Sequence, residues 1–324
     1  MKKILVTGAG GFIGSHLAER CVALGYSVKA FVRYNSRNTW GWLENSDVMD
    51  ELEVICGDIR DFDSVFSALE GVDTVFHLAA LIGIPYSYIS PLAYIRTNVE
   101  GTYNVLQAAK MLNTRNIIVT STSETYGTAQ YVPIDEKHPA VAQSPYAATK
   151  ISADQLAMSF FHSFKMPIKI VRPFNTYGPR QSARAFIPTV ITQILDGKKD
   201  IKLGNIHPTR DLTYVKDTVN GFVEISKADK LFGEATNVGM KEEIPMDALA
   251  KKIAKLMNAD IEYNIENRRI RPDGSEVERL CCDNAKLLQS TNWLPEFTLD
   301  SGLKETIGWF EKHKKIYKAD IYNT

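Results

Sequence analysis

The sequence has no surplus of charge of either sign. Its 324 residues include 38 lysines and arginines and 38 aspartates and glutamates, so the formal net charge is zero. Nucleic-acid-binding proteins usually carry a basic surplus, and polybasic segments attach proteins to anionic membrane surfaces. The zero balance therefore argues against nucleic acid and against a membrane surface as partners.

Long apolar runs are also lacking. No run approaches the roughly 18–20 residues that cross a bilayer, and residues 1–6 give way at once to glycines, unlike a signal peptide. Cysteines number only four, and none of them stands at a metal-ligand spacing. We therefore expect no metal site, free thiols and a cytoplasmic location.

What the sequence does contain is a regular alternation of short strands and helices. Residues rich in Val, Ile and Phe predict strands at 4–7, 27–32, 52–56, 74–78 and 116–120. Helical patterns lie between them at 13–24, 62–69 and 94–112, followed by a helix from near Pro145 to 164 and a strand at 168–173. This alternation predicts an α/β fold with a Rossmann-like, doubly wound parallel sheet covered by helices on both faces.

After Asn175 the pattern becomes rich in loops and prolines. We interpret residues 1–175 as a dinucleotide-binding domain to which segments near 213–240 return. Residues 176–324 are then mainly a smaller, mixed α/β lobe that binds the substrate. The length of the chain leaves little room for a further domain.

The first predicted strand runs into a glycine-rich turn. Gly8, Gly11 and Gly14 form G-x-x-G-x-x-G around Phe12 and Ile13, and a helix follows. The spacing alone is weak evidence, since a plain strand–helix turn can carry it, but the strand before and the helix after are the dinucleotide context. In that context the glycines let a pyrophosphate approach the helix N-terminus closely. The turn therefore predicts NAD or NADP as cofactor.

Two features near the turn bear on which dinucleotide binds. Asp58 follows the third strand, where its carboxylate would accept from an adenine amino group, unless it lies in a surface turn. The acid that NAD-binding folds usually carry about 20 residues past the glycines is missing, because no acid occurs between Arg33 and Glu44. Arg33 and Arg37 are suited to a 2′-phosphate, which favours NADP, although solvated arginines are the alternative.

Tyr146 and Lys150 stand four residues apart on the helix that begins near Pro145. This spacing places both side chains on one helix face. A neighbouring ammonium favours the phenolate and lowers the tyrosine pKa, which would make Tyr146 a base toward an alcohol. The spacing alone is not specific. However, Tyr146 and Lys150 follow a strand whose carboxyl end lies at the sheet edge where open α/β sheets bind their ligands.

That strand ends in a run of hydroxyl-bearing residues at 120–127. Within it, Thr122 and Ser123 precede Glu124. A carboxylate at this sheet edge is able to remove a proton next to a carbonyl, whereas the alternative is an exposed glutamate in a loop. The run therefore supplies candidate catalytic residues beside Tyr146 and Lys150.

Taken together, these residues resemble the extended short-chain dehydrogenase/reductase family that acts on nucleotide sugars. The resemblance extends over essentially the whole chain. The motifs that carry it are Gly8-x-x-Gly11-x-x-Gly14, Asp58, His77-Leu78-Ala79-Ala80, Asn98-x-x-Gly101-Thr102, residues 122–127, Tyr146-x-x-x-Lys150 and Arg172-Pro173-Phe174-Asn175-x-Tyr177-Gly178-Pro179. It implies that Ile59, Leu78, Ala79, Ala80 and Asn98 also contact the cofactor. It further implies a tightly bound, regenerated cofactor and a homodimer formed through the helices carrying Tyr146 and following Tyr94.

Within that family, residues 33–42, 122–129, 178–184 and 208–211 are most similar to the 4,6-dehydratases of the legionaminic acid pathway. Those enzymes act on N-acetylglucosamine linked to a nucleoside diphosphate, here GDP or UDP. The resemblance implies that C4 is oxidised while Tyr146, assisted by Lys150 and Thr122, takes the hydroxyl proton. Glu124 then removes the C5 proton, the C6 hydroxyl leaves and hydride returns to C6. The residues implied to hold the sugar diphosphate are Asn175, Arg184, Arg210 and Arg271.

One position departs from the family pattern. Glucose-type 4,6-dehydratases usually show Thr-Asp-Glu, whereas Ser123 replaces the aspartate that protonates the departing hydroxyl. Either Glu124 shuttles the proton, a water helps, or the reaction is not a dehydration. Thr-Ser-Glu also occurs in nucleotide-uronate decarboxylases, while C4 epimerases generally lack the glutamate. Epimerase, decarboxylase and a catalytically silent dinucleotide sensor therefore stay open as alternatives.

Overall fold

The computed structural model of the chain describes residues 2–272, 274–318 and 321. The strands of this part of the chain are β1 (Lys3–Thr7), β2 (Ser27–Arg33), β3 (Leu52–Gly57), β4 (Thr74–His77), β5 (Asn116–Thr120), β6 (Ile168–Pro173), β7 (Asn175–Tyr177), β8 (Asp200–Leu203), β9 (Thr209–Tyr214), β10 (Ala235–Val238), β11 (Glu243–Pro245) and β12 (Glu262–Ile265).

The α-helices of the same residues are α1 (Phe12–Ala23), α2 (Phe62–Leu69), α3 (Ile84–Ile89), α4 (Pro91–Tyr94), α5 (Gly101–Met111), α6 (Pro145–Phe164), α7 (Phe186–Leu195), α8 (Val215–Lys227), α9 (Met246–Leu256), α10 (Ala285–Ser290) and α11 (Leu299–Lys312). None of these helices is long and apolar enough to cross a membrane.

Seven strands form the main sheet, in the order β10-β6-β5-β4-β1-β2-β3. Every neighbouring pair is parallel. The predicted Rossmann-like sheet is therefore confirmed. The order reverses between β1 and β4, which is the point at which such sheets open a crevice at the strands' carboxyl ends. The glycine turn after β1 and the loop after β4 meet there.

Helices cover both faces of this sheet. On one face α1 packs against α8, and on the other α2, α5 and α6 pack side by side. The central strand is consequently buried on both sides: Ile4, Leu5 and Val6 are each at most 3% exposed. This explains why β1 is an uninterrupted apolar run rather than an alternating one.

Several predicted elements have the bounds expected from the sequence, among them α2, β5 and β6. The helix expected over residues 94–112 is instead three pieces: α4, a π-helical stretch at Ile95–Glu100, and α5. Asn98 lies within the π-helical stretch, and its side chain reaches the loop after β4. Such stretches frequently accompany functional sites.

The second half of the chain contains more helix than the expectation of a loop-rich lobe. Helices α7, α9 and α11 support a three-stranded sheet, β11-β9-β7, and a parallel pair, β12-β8. Strand β10 adds to β6 at the edge of the main sheet. The preceding segment, which forms α8, lies on the sheet as a helix rather than extending it as a strand.

Candidate functional site

A cleft of about 870 Å³ lies at the carboxyl ends of the main-sheet strands and extends under the smaller lobe. Its size is at the upper end of the range of ligand pockets in proteins. Most of the residues predicted for the site line it: Gly8, Gly11, Phe12, Ile13, Gly14, Arg33, Asp58, Ile59, Leu78, Ala79, Ala80, Thr122, Ser123, Glu124, Tyr146, Asn175, Arg184, Arg210 and Arg271. The cleft therefore brings together residues separated by more than half of the chain.

The glycine turn is shaped so that only glycine fits. Gly8 has a φ of +72°, and a Cβ there would lie 2.9 Å from the backbone nitrogen of Ala79. A Cβ at Gly14 would lie 2.2 Å from the carbonyl oxygen of Gly8. Helix α1 begins after Gly11 with no side chain capping its first amides. These free amides and the close-packed turn form a cradle that fits a dinucleotide pyrophosphate.

A chain of buried hydrogen bonds holds the loop after β4 against this turn. The Thr7 hydroxyl accepts from the backbone amides of Leu78 and Ala79, each at 3.1 Å. His77 links Thr7 to Thr102, at 2.8 Å and 3.1 Å. Burial lowers the pKa of His77 to about 3, so the imidazole stays neutral in this position. His77 therefore supports the cleft wall rather than carrying charge into it.

Asn98, expected to contact the cofactor, lies behind the cleft wall. Its carboxamide accepts from the Leu81 amide at 2.8 Å, donates to the Leu81 carbonyl at 2.9 Å and donates to Thr149 at 3.0 Å. The side chain is 1% exposed. These bonds occupy the amide fully, so Asn98 positions the loop that lines the cleft.

The far end of the cleft, after β2 and β3, carries opposite charges. Asp58 is held by Arg60, whose Nε and backbone amide both donate to the carboxylate at 3.0 Å. The arginine lowers the pKa of Asp58, which is therefore an anion. Arg33 is exposed at the cleft near Asp58, whereas Arg37 does not line the cleft. Of the two arginines, only Arg33 lines the cleft.

Tyr146 faces the cleft from the first turn of α6. Thr122 and Glu124 both lie close enough to the phenol to affect its ionisation. We expected the Lys150 ammonium to lower the tyrosine pKa. The structure instead shows that burial raises the pKa of Tyr146 above its usual value. The phenol is thus protonated at rest.

Lys150 lies one turn further along α6 and does not line the cleft. Its Nζ donates to the Thr120 carbonyl at 2.5 Å. Burial lowers the pKa of Lys150 to about 8, while the charge of Asp154 acts in the opposite direction. Asp154 itself accepts from Ser121 at 2.8 Å and from Arg172 at 3.0 Å. A buried set of charges therefore stands directly behind Tyr146.

The hydroxyl-rich run becomes a short 3₁₀ helix, Ser123–Tyr126, capped by Thr122. The Thr122 hydroxyl accepts from the Glu124 backbone amide at 3.2 Å. This cap turns the Glu124 side chain into the cleft, where the residue is 9% exposed. Arg271 Nη1 lies 3.7 Å from the Glu124 carboxylate. The glutamate is thus a cleft residue rather than an exposed loop residue.

Two arginines and two carboxylates alternate in the middle of the cleft. Glu276, which the sequence analysis missed, lies 2.9 Å from Arg210 Nη2 and 3.6 Å from Arg271 Nη1. Arg210 is 7% exposed, and burial lowers its pKa. Glu276 carries no motif that would reveal it, since its partner Arg210 is 66 residues away in the chain.

The two other expected substrate contacts lie on either side of these charges. The Asn175 side-chain oxygen is buried and has no hydrogen-bond partner among the described residues, although the residue lines the cleft. A buried polar atom without a partner is costly and suits a ligand donor. Arg184 is exposed at the cleft mouth, 3.3 Å from the Ser182 hydroxyl. No group of three or more possible metal ligands occurs in the described part of the chain.

Comparisons with known proteins agree with this geometry. The family model described as GDP-mannose 4,6 dehydratase matches residues 5–306. A UDP-N-acetyl-alpha-D-glucosaminuronate decarboxylase from Bacillus cytotoxicus is 31% identical over 96% of the chain and 98% of its own length. A trifunctional UDP-glucose 4,6-dehydratase, epimerase and reductase of Arabidopsis thaliana is also 31% identical over 96% of the chain. The chain spans about half of that plant protein, 47% of its length.

Among solved structures, the dTDP-glucose 4,6-dehydratase DesIV from Streptomyces venezuelae, with NAD bound, superposes with a TM-score of 0.89. The match covers 98% of this chain and 99% of DesIV at 26% sequence identity. The likeness therefore includes both the main sheet and the smaller lobe.

Proposed function

The chain belongs to the GDP-mannose 4,6 dehydratase family, within the NAD-dependent epimerase/dehydratase enzymes, and from this premise we propose that it is a nucleotide-sugar 4,6-dehydratase. The reaction converts N-acetylglucosamine, linked to GDP or UDP, into its 4-keto-6-deoxy derivative. The observation that carries the proposal is that Tyr146 and Glu124 line the same cleft. We infer a cytoplasmic location from the four free thiols.

Tyr146 is the group that handles the C4 hydroxyl proton. Its phenol lines the cleft beside Thr122, whose hydroxyl would bond the same sugar oxygen. Because burial keeps the phenol protonated at rest, Tyr146 has to release that proton before it accepts the one from the sugar, and positive charge nearby favours the phenolate. Lys150, buried behind Tyr146, would supply that charge. A nicotinamide bound in the cleft would supply the hydride chemistry.

Glu124 is the base for the C5 proton. The 4-ketone acidifies the neighbouring C–H, and a carboxylate is suited to remove its proton. Its backbone is fixed by the Thr122 cap, and Arg271 faces its side chain at 3.7 Å. The carboxylate is therefore held in the cleft, close enough to Tyr146 to act on it electrostatically.

Glu124 also protonates the departing C6 hydroxyl in this proposal. Ser123 is a poor acid, and the other carboxylates lining the described cleft are paired with arginines: Asp58 with Arg60, and Glu276 with Arg210 and Arg271. A glutamate that has just taken the C5 proton needs no external acid to return it at C6. A single residue then serves both halves of the elimination.

Arg210 and Arg271 are the proposed diphosphate ligands, with Asn175 and Arg184 beside them. Guanidinium groups pair well with phosphate oxygens, and all four residues line the cleft. The N-acetylglucosamine portion is proposed from the similarity to the legionaminic acid pathway enzymes. The residues that carry this similarity are 33–42, 122–129, 178–184 and 208–211.

A second candidate is nucleotide-uronate decarboxylation. Thr122-Ser123-Glu124 is compatible with it, and the Bacillus cytotoxicus relative is named a decarboxylase. The two activities are separated by incubating the enzyme, without added reductant, with UDP- and GDP-N-acetylglucosamine and with UDP-N-acetylglucosaminuronate. We expect loss of one water from an N-acetylglucosamine substrate. Loss of carbon dioxide from the uronate alone would establish the decarboxylase, and unchanged mass with inverted C4 would establish an epimerase.

Arg33 is proposed to select NADP through its 2′-phosphate. It is the only cationic side chain of residues 33–41 that lines the described cleft, and no acid of that segment lines it. We expect Arg33→Ala to weaken NADP binding about ten-fold, since a charge-assisted bond is lost, and to leave NAD binding unchanged. Calorimetric titration of both nucleotides measures this. Tighter binding of NAD than NADP by the wild type would contradict the assignment.

A homodimer is proposed on the outer face of α4, α5 and α6. Exposed apolar side chains recur there at helical spacing: Leu92, Ile95, Tyr103, Met111 and Phe164. Exposed apolar side chains gathered on neighbouring helices favour an interface. We expect Tyr103→Glu to convert a dimer to a monomer in sedimentation velocity, because it would bury a charge. Leu294→Glu, at a site 70% exposed elsewhere, should remain dimeric. A monomeric wild type would refute the dimer.

A further inference from the structure

Residues 34–45, between β2 and the end of the 3₁₀ helix Gly41–Asn45, form what we call the covering loop. The loop lies directly on the glycine turn. The Trp42 amide donates to the Gly10 carbonyl at 3.0 Å. A Cβ on Gly10 would lie 2.5 Å from the Trp40 carbonyl oxygen, and a Cβ on Gly41, where φ is +66°, would lie 2.3 Å from the Gly10 carbonyl oxygen. The loop is thus fitted backbone to backbone against the cofactor cradle.

The covering loop is also ordered internally and lines the cleft. The Asn35 carboxamide donates to the Thr39 carbonyl at 2.7 Å and accepts from the Arg37 amide at 3.1 Å. Asn35, Thr39 and Trp40 line the cleft on the cofactor side. The loop therefore forms one wall of the space that the dinucleotide would occupy.

The outer side of the loop is held by rings from the end of the chain. Trp42 meets Trp309 edge to face at 5.4 Å and stacks on Tyr317 at 6.5 Å. Trp309 in turn stacks on His313 at 4.2 Å. We call Trp309, His313 and Tyr317 the C-terminal aromatic cluster.

The same cluster reaches the opposite wall of the cleft. The Tyr317 hydroxyl donates to the Gln181 carbonyl at 2.9 Å, and Gln181 lines the cleft. The Gln181 side chain donates to the Thr176 carbonyl at 2.9 Å. One group of rings thus joins the covering loop to the substrate side of the site.

We propose that the C-terminal aromatic cluster clamps the covering loop over the bound dinucleotide and sets how slowly the cofactor leaves. A cofactor that is reduced and reoxidised within each turnover serves many turnovers only if it stays bound through them. Residues 34–40 contain no helix or strand of their own, and the ring contacts of Trp42 are the ones that tie the outer side of the loop to the end of the chain. The inference rests on the dinucleotide binding in the proposed function, but not on the dehydration.

The test measures the rate at which NADH leaves a protein that has been stripped of nucleotide and then reloaded with NADH. NADPH takes the place of NADH if the wild type prefers it. Stopped-flow displacement by the oxidised form reports release through the fluorescence of the reduced nucleotide. We expect Trp42→Ala to release it about ten-fold faster, since two ring contacts are lost, and Trp42→Phe to stay near the wild type. Tyr131→Ala removes an aromatic ring that does not line the cleft and should change nothing.

UDP affinity and thermal unfolding serve as parallel measurements. A merely structural role would lower the unfolding temperature and leave nucleotide release unchanged, and that result overturns the proposal. Tyr317→Ala, which also removes a contact to Trp42, gives the same test should Trp42→Ala not fold. Release at the wild-type rate from either folded variant overturns the clamp, whereas failure of the wild type to bind either dinucleotide would overturn the proposed function instead.

Discussion

Replacing Glu124 by glutamine is expected to lower turnover by about 10² to 10⁴-fold, the usual contribution of a general base, while substrate binding is retained. The amide keeps the shape and the hydrogen-bonding capacity of the side chain but cannot take a proton. The residue lies at 9% exposure in the cleft, beside Arg271, so bulk water is poorly placed to replace it. Turnover and substrate affinity, measured separately, check the prediction.

Exchange at C5 sharpens this test. In deuterated water the wild type should incorporate deuterium at C5 through the ketone intermediate, and Glu124→Gln should not. Glu276→Gln is the matched comparison, because Glu276 also lies within 4.0 Å of Arg271 Nη1. We expect Glu276→Gln to change KM and still to incorporate deuterium at C5. Exchange at the wild-type rate in Glu124→Gln would show that another group is the base.

Replacing Tyr146 by phenylalanine is expected to abolish oxidation at C4, again by about 10² to 10⁴-fold. The variant loses the phenol hydroxyl that lines the cleft beside Thr122. Oxidation at C4 is followed in a single turnover as the formation of reduced cofactor by absorbance.

The control is Tyr94→Phe. That tyrosine packs edge to face on Tyr146 at 6.3 Å, and its hydroxyl donates to the Gly83 carbonyl rather than to the cleft. It should oxidise C4 at close to the wild-type rate. Substantial cofactor reduction by Tyr146→Phe would mean that Tyr146 is not the base.

The parts of the molecule that were predictable from the sequence are those specified locally. Strand β1, the glycines after it and helix α1 occupy 21 consecutive positions, so periodicity and turn chemistry are sufficient to find them. Tyr146 and Glu124 follow from the same reasoning, since each lies just beyond a recognisable strand or helix start. The order of strands in the sheet then brings them together.

The parts that were not predictable depend on contacts between distant segments. Glu276 has no local signature, and its role is visible only when Arg210 and Arg271 meet around it. The covering loop is explained by Trp42 meeting Trp309 at the other end of the chain. The pKa of Tyr146 was expected to fall because Lys150, four residues further along the same helix, carries a positive charge. Burial, which depends on the whole fold, raises that pKa instead.

The central claim is a dehydration in which hydride leaves C4 and returns to C6 within one active site. The most direct test is turnover of an NDP-N-acetylglucosamine carrying deuterium at C4, followed by mass spectrometry and NMR of the product. We predict a product that has lost one water and carries the deuterium in its C6 methyl group. A product with unchanged mass, or one that has lost water but has no deuterium at C6, would contradict the account.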